Sequence, residues 1–320
     1  MTHGRFFVVV AVVGLVASSL GCCFSGMQSV RGSGPLKEKV YAVEGFHGVA
    51  LSNQGHLTIA YGEEERLVVD AEANLLPYLE AQVEGGILHI RTRPGVWIWP
   101  SRPIGYQLTV TELDALTVTG SGDAAGLVLE GDDVSVRVTG SGDVTLDGID
   151  AADSVDVLVT GSGGAWVPAD NANGGSVTGS RAVLTVTGSG GARVDGDDAG
   201  GVSVRGERMN VTVTGSGGVR LGEMEADQLD VRVTGSGDLT VAGGRVVDQA
   251  ISTSGSGTYR ARELRSDTAQ ARVTGSGTVT IQVADELQAR LTGSGDVRYA
   301  GDPAVHANTT GSGDVVRAGD

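Results

Sequence analysis

Apolar and polar residues alternate along most of this chain with a period of two, and the tripeptide Gly-Ser-Gly resets the alternation at regular intervals. The tripeptide begins at Gly120, Gly140, Gly161, Gly188, Gly215, Gly235, Gly255, Gly275, Gly293 and Gly311, in steps of 20, 21, 27, 27, 20, 20, 20, 18 and 18 residues. Four residues before each copy stands an apolar side chain, from Leu116 and Val136 through Ile251 to Ala307. Two before it stands another, from Val118 and Val138 to Leu291, with Thr253 and Thr309 as the polar departures. Between them the residues are nearly all polar, as at Thr117, Arg137, Thr212, Arg232 and Arg272. The alternation resumes after the turn with Val144/Leu146, Val219/Leu221, Leu239/Val241 and Val279/Ile281. Apolar in and polar out at period two is a half-buried strand, and the β-branched content agrees.

A fixed period near 20 residues predicts stacked repeats. Each period is expected to be strand, glycine corner, strand and polar return, the return often carrying one apolar residue such as Leu129, Ile149, Met224 or Leu264. The predicted fold is all-β: a single-stranded parallel β-helix (solenoid) of about 18–21 residues per coil, right-handed by the crossover rule. The two 27-residue steps fit a coil with seven residues inserted. Thr precedes Gly-Ser-Gly in nine copies and Ser254 in the tenth, which predicts a hydroxyl ladder along one edge.

The amino-terminal stretch has a different character. Arg5 followed by the apolar run Phe6–Val16 is too short to span a bilayer and reads as an export signal. Ser18-Ser-Leu-Gly-Cys22 has the form of a lipoprotein processing site, with Cys22 as lipid attachment and Cys23 next to it. The domain plan is a signal peptide over 1–21, a flexible tether over 22–39, irregular coils over 40–113 and Gly-Ser-Gly coils over 114–320. In the irregular part, strands are expected at Gly48–Leu51, His56–Tyr61, Leu67–Ala71, Ala81–Val83, Ile87–Arg91 and Tyr106–Val110, with a helical turn capped by Asn74. The only cysteines are Cys22 and Cys23, so the body holds no disulfide.

The run from Phe46-His-Gly-Val49 through Leu57-Thr-Ile59 and Asn74-Leu-Leu76 to Val83-Glu-Gly-Gly-Ile-Leu-His-Ile90, followed by Thr-Gly-Ser-Gly coils, resembles the head GIN domain family of auto-transporter adhesins. The resemblance covers Val40–Asp320. It implies an exported, often lipid-anchored bacterial β-helical protein of undefined activity, and it transfers no functional residues.

Charge and chemistry narrow the function further. The net charge is −16 and the only lysines are Lys37 and Lys39, which argues against nucleic acid and leaves a lipid anchor as the one membrane contact. No Gly-Ser-Gly is followed by the Lys-Ser/Thr of a phosphate loop. Asp123, Asp143, Asp238, Asp296 and Asp314 follow half of the corners, short of the repeat that calcium-binding β-rolls need, and turn hydrogen bonding accounts for them. An ice-binding threonine face is broken by Arg137, Arg232, Arg272 and Arg290. Histidines 3, 47, 56, 89 and 306 are scattered. No catalytic residue, cofactor or metal is expected.

The expected function is a non-enzymatic cell-envelope module, structural or adhesive, at the outer membrane, whose surface ligand is a glycan or a protein. The proline-framed segment Arg93–Pro103 holds Trp97 and Trp99, either as a partner contact or as a cap over the early coils. The alternative is a polysaccharide-active enzyme with a shallow groove near the long coils 161–215, beside Asp195, Asp197 and Asp198. The last coil, from Asp302, is expected to fray or to support weak end-to-end self-association of a monomer.

Overall fold

The structure, a computed structural model, describes residues 28–168, 176–195 and 203–318. It is all-β, and among the described residues the only helical element is the single 3-10 turn Leu76–Tyr78.

The repeat glycines are the axis of the arrangement. Gly120 pairs with Gly140, Gly140 with Gly161, and so on through Gly188, Gly215, Gly235, Gly255, Gly275 and Gly293 to Gly311, always in parallel register. All ten have φ between 104° and 128°, where a side chain is strained. Each rung also approaches the next closely: a Cβ built on Gly140 would lie 2.4 Å from the Gly120 carbonyl oxygen. That carbonyl accepts a 2.8 Å bond from the Ser141 amide, and equivalent bonds run along the column to Ser312, which donates to Gly293 at 2.9 Å. Glycine is thus required twice, by conformation and by contact.

Within one period the alternation slips twice. Along Gly218–Gly235, Val219 and Leu221 point in, then Gly222 is buried next to Leu221. Met224 and Ala226 point in next, and the adjacent Asp227 and Gln228 are both exposed before Leu229, Val231 and Val233 turn inward. The slips mark bends, and the stretch expected as a polar return is strand, paired on either side of Gly222 and Asp227. The inward columns are dry, with Val118, Val138, Val159, Val186, Val213 and Val233 all at 0% exposure. Burying a side chain of that size contributes about 1.5–3 kcal/mol. Among the repeats, buried polar side chains gather in one neighbourhood, at Gln249, Thr253 and Ser266. There the Tyr259 hydroxyl donates to Gln249 Oε1 at 3.0 Å, while Gln249 Nε2 and Thr253 Oγ1 have no partner among the described residues.

The amino-terminal part departs from an all-parallel expectation. Gly48–Leu51 and His56–Tyr61 do pair in parallel with Ile87–Thr92 and Gly105–Val110. Arg66–Glu72, however, runs antiparallel to Gly105–Val110, and Leu79–Glu84 forms an antiparallel hairpin with Ile87–Thr92. The hairpin is made by Gly85-Gly86, both at positive φ, a two-residue turn that reverses the chain where a corner would have advanced it. The tether expected over 22–39 is likewise paired from Gln28 onward. Gln28–Arg31 joins Val96–Trp99, and Leu36–Tyr41 lies antiparallel to Arg66–Glu72. Asn74 does not cap the turn. Its amide accepts from the Ser33 N–H and donates to the Arg31 carbonyl, both at 2.8 Å, and so ties down this leading segment.

Candidate functional site

Leu51 pairs with Val118 and His56 with Asp123, so Ser52-Asn-Gln-Gly55 takes the place that Thr119-Gly-Ser-Gly122 holds on the next rung. One rung further out, Ile90 pairs with Leu51 and Gly105 with His56. Residues 91–104, the tryptophan segment, therefore stand at a corner position and replace a four-residue turn with a projecting ribbon.

Four residues of that segment, Val96–Trp99, form a strand against Gln28–Arg31. Alternation divides its duties. Ile98 is buried at 7% exposure, while Trp97 and Trp99 are 57% and 63% exposed. The ribbon therefore covers the early coils with Ile98 and presents two indoles outward. It is anchored at both ends and in the middle. The Gln28 amide donates to the Gly95 carbonyl at 3.0 Å at one end, and Gln54 Nε2 donates to the Ile98 carbonyl at 3.0 Å. At the other end the Gly32 amide donates to the Trp99 carbonyl at 2.8 Å and buried Glu72 accepts from the Ser101 amide at 2.9 Å. Between the ribbon and the corners lies an open cleft of about 340 Å³ lined by Ser52, Asn53, Gln54, Ser121 and the two tryptophans. A rigid aromatic pair beside amides and hydroxyls can hold an amphipathic partner at low entropic cost.

The second concavity lies on the outer face of the strands that precede the corners. It encloses about 580 Å³ and is lined by Arg232, Arg272 and Arg290, with Asn210, Gln270, Gln288, Thr212 and Ser252 around them. Its sole carboxylate is Asp230.

The remaining candidates are not brought together. The corner aspartates are structural, though not as turn formers for their own loops. Asp123 accepts from the Asp143 amide at 2.9 Å and Asp143 from the Gly164 amide at 2.8 Å, so each staples the rung that follows. No three His, Cys, Asp or Glu side chains converge to hold a metal ion among the described residues. His47 bonds Asp114 at 2.9 Å, and His56 faces Asp123 at 3.3 Å. His89 pairs with Gln82 and His306 with Gln288, on other rungs. Near the long coils the described side chains enclose only an apolar internal void of about 40 Å³, bounded by Val157, Ala165, Ala182 and Leu184. The groove-forming insertions, with Asp197 and Asp198, fall outside the described residues, as do His3, Cys22 and Cys23. Sequence reasoning found the tryptophans but missed the arginine concavity, whose only signal was the recurrence of Arg at one column.

The architecture has register-matched parallel rungs, with the two tryptophans on an exposed ribbon and the arginines on an exposed face. The chain belongs to the family described as "Putative auto-transporter adhesin, head GIN domain", which matches residues 45–199 and again 176–303. A solved "putative adhesin" of Parabacteroides merdae ATCC 43184 is similar in fold at 16% identity and a TM-score of 0.52, covering 91% of this chain and 100% of that one. A second, from Parabacteroides distasonis ATCC 8503, has 20% identity and a TM-score of 0.49 over the same shares. No curated protein matches the sequence.

Proposed function

We propose that this chain is a non-enzymatic adhesive module of the bacterial cell envelope, wound as a right-handed parallel β-helix, that contacts its partner through Trp97 and Trp99. The observation that carries the reading is the exposure of both indoles on a ribbon fixed at both ends. The unbroken glycine column supports a helical winding, since parallel rungs one period apart require the chain to circle back on the same side. The family description supports adhesion.

In this reading residues 1–21 direct export, Cys22 carries the lipid at the outer membrane, and the displayed body starts at Gln28, where pairing begins. Fatty-acid label should therefore be incorporated by the native protein and lost in Cys22→Ala. Incorporation that survives this change would move the anchor to Cys23.

The test of adhesion is a glycan and bacterial-surface binding screen with the full-length protein beside Trp97→Ala/Trp99→Ala. Binding that depends on the tryptophans supports the reading. Binding indifferent to them removes the ribbon from it, and turnover of any polysaccharide in the screen replaces it with the enzyme.

A further inference from the structure

We propose that the concavity over Arg232, Arg272 and Arg290 binds a linear acidic polysaccharide, each guanidinium taking a carboxylate or sulfate of the chain. This surface is separate from the tryptophan ribbon, and the proposal does not depend on the ribbon's role.

Several arginines elsewhere have partners, as Arg245 with Asp267 at 3.1 Å, Arg260 with Asp238 at 3.5 Å and Arg298 with Asp296 at 3.6 Å, while others such as Arg137 and Arg265 stand singly among the described residues. Arg232, Arg272 and Arg290 have no ion-pair partner within 4.0 Å among the described residues, in a chain of net charge −16 with acids in excess. Arg272 and Arg290 are moreover direct neighbours on adjacent rungs, a like-charge contact that costs stability in the free protein. An anion bridging them would relieve it.

The spacing selects the kind of anion. Arg272 and Arg290 are one rung apart, about 4.8 Å. Arg232 and Arg272 are two rungs apart, roughly 10 Å, with Ser252 between them. The charges thus form a line along the stacking direction that a single small anion cannot span. The forked guanidinium suits carboxylate and sulfate oxygens. The amides of Asn210, Gln270 and Gln288 and the hydroxyls of Thr212 and Ser252 flank the line, and such groups pair with sugar hydroxyls. The lining holds no aromatic ring on which a base could stack, which disfavours single-stranded nucleic acid. Its apolar members are only Val231, Ala250, Ile251 and Ala271, so vesicles serve as the lipid control.

The experiment uses the full-length protein with polygalacturonate, dextran sulfate, neutral dextran, single-stranded DNA and phosphatidylglycerol vesicles as probes. The native protein should bind one or both acidic polysaccharides and not dextran, with affinity falling as salt shortens screening to about 8 Å at physiological ionic strength. Arg232→Gln/Arg272→Gln/Arg290→Gln should weaken that binding by about tenfold or more, from the small contributions of three exposed charge pairs, and flatten its salt dependence. Its melting temperature should hold or rise, because the Arg272–Arg290 repulsion is gone. Arg290→Gln alone should give an intermediate loss if the triple variant is poorly produced, and Arg245→Gln should change nothing. Preference for polygalacturonate or for dextran sulfate assigns the carboxylate or the sulfate. The proposal is overturned by unchanged binding in the triple variant, by equal binding of dextran, DNA or vesicles, or by no binding to either acidic polysaccharide.

Discussion

Glu72 holds Ser101 twice, accepting a 2.9 Å bond from its amide and a 2.5 Å bond from its hydroxyl. The hydroxyl bond, with the amides of Ser101 and Arg102 behind it, keeps this carboxyl below its ordinary 4.5 against the burial that would raise it. A depressed folded value means that the stabilisation is complete above 4.5 and is lost as pH falls through the folded value. The tryptophan ribbon should therefore loosen in acid. Hydrogen exchange at the Ser101 and Gly32 amides, corrected for intrinsic rates, should accelerate below pH 4.5 in the native protein. In Glu72→Gln it should be fast already at neutral pH. Equal protection in the two proteins would mean that the clamp is idle.

Two glycines of one coil should respond oppositely to the same change. Gly235 has a φ of +104°, and a Cβ there would lie 2.6 Å from the Gly215 carbonyl oxygen. Gly235→Ala should cost about 2–4 kcal/mol, combining left-handed strain with displacement of a neighbouring backbone. Gly218 has no such φ, and its Cβ would meet nothing nearer than the Asp238 carbonyl oxygen at 3.7 Å. Gly218→Ala should be neutral or stabilise by about 0.4–1 kcal/mol through the unfolded chain. Urea denaturation of both variants decides it, and a similar loss in each would undo the argument from the column.

Thr253 interrupts a column of valines, with Val233 on one side and Val273 on the other, and its buried hydroxyl has no partner among the described residues. Thr253→Val keeps the shape and removes the unpaired group, so it should stabilise by about 1 kcal/mol or more. A lower denaturation midpoint would show that the hydroxyl has a partner after all.

Tyr259 and Gln249 should behave as a unit. Tyr259→Phe strips Gln249 Oε1 of its 3.0 Å donor and should cost about 1–3 kcal/mol. Adding Gln249→Leu, which matches the Leu229 on the neighbouring rung, should recover much of the loss. A double-mutant cycle in which the two changes simply add would contradict the coupling.

The columns from Leu116 and Val118 onward were legible because each inward residue recurs with the same partner one period later, so one pattern repeated ten times over. Elsewhere the decisive information was not in local pattern. Leu36–Tyr41 carries Lys37, Glu38 and Lys39, and it is held at an edge by main-chain bonds that no side-chain alternation announces. The Trp97 strand is four residues between prolines, and its partner lies about seventy residues earlier. Gly85-Gly86 was a hairpin signal hidden among glycines that elsewhere mean corners. The arginine column was visible as letters, but that Arg232, Arg272 and Arg290 have no counter-ion among the described residues depends on which acids reach them.

The glycine column lets successive repeats be joined at their corners. Excising residues 236–255 joins Gly235 to Ser256, leaves every remaining glycine of the column over a glycine, and shortens the run of rungs by one step of about 4.8 Å. The contacts of the lost stretch go with it, Asp238 with Arg260, Arg245 with Asp267 and Gln249 with Tyr259, but the main-chain register does not. The distance separating the ribbon from the last rung is then a quantity that changes in whole steps, set by how many repeats the chain carries and not by how any one of them packs.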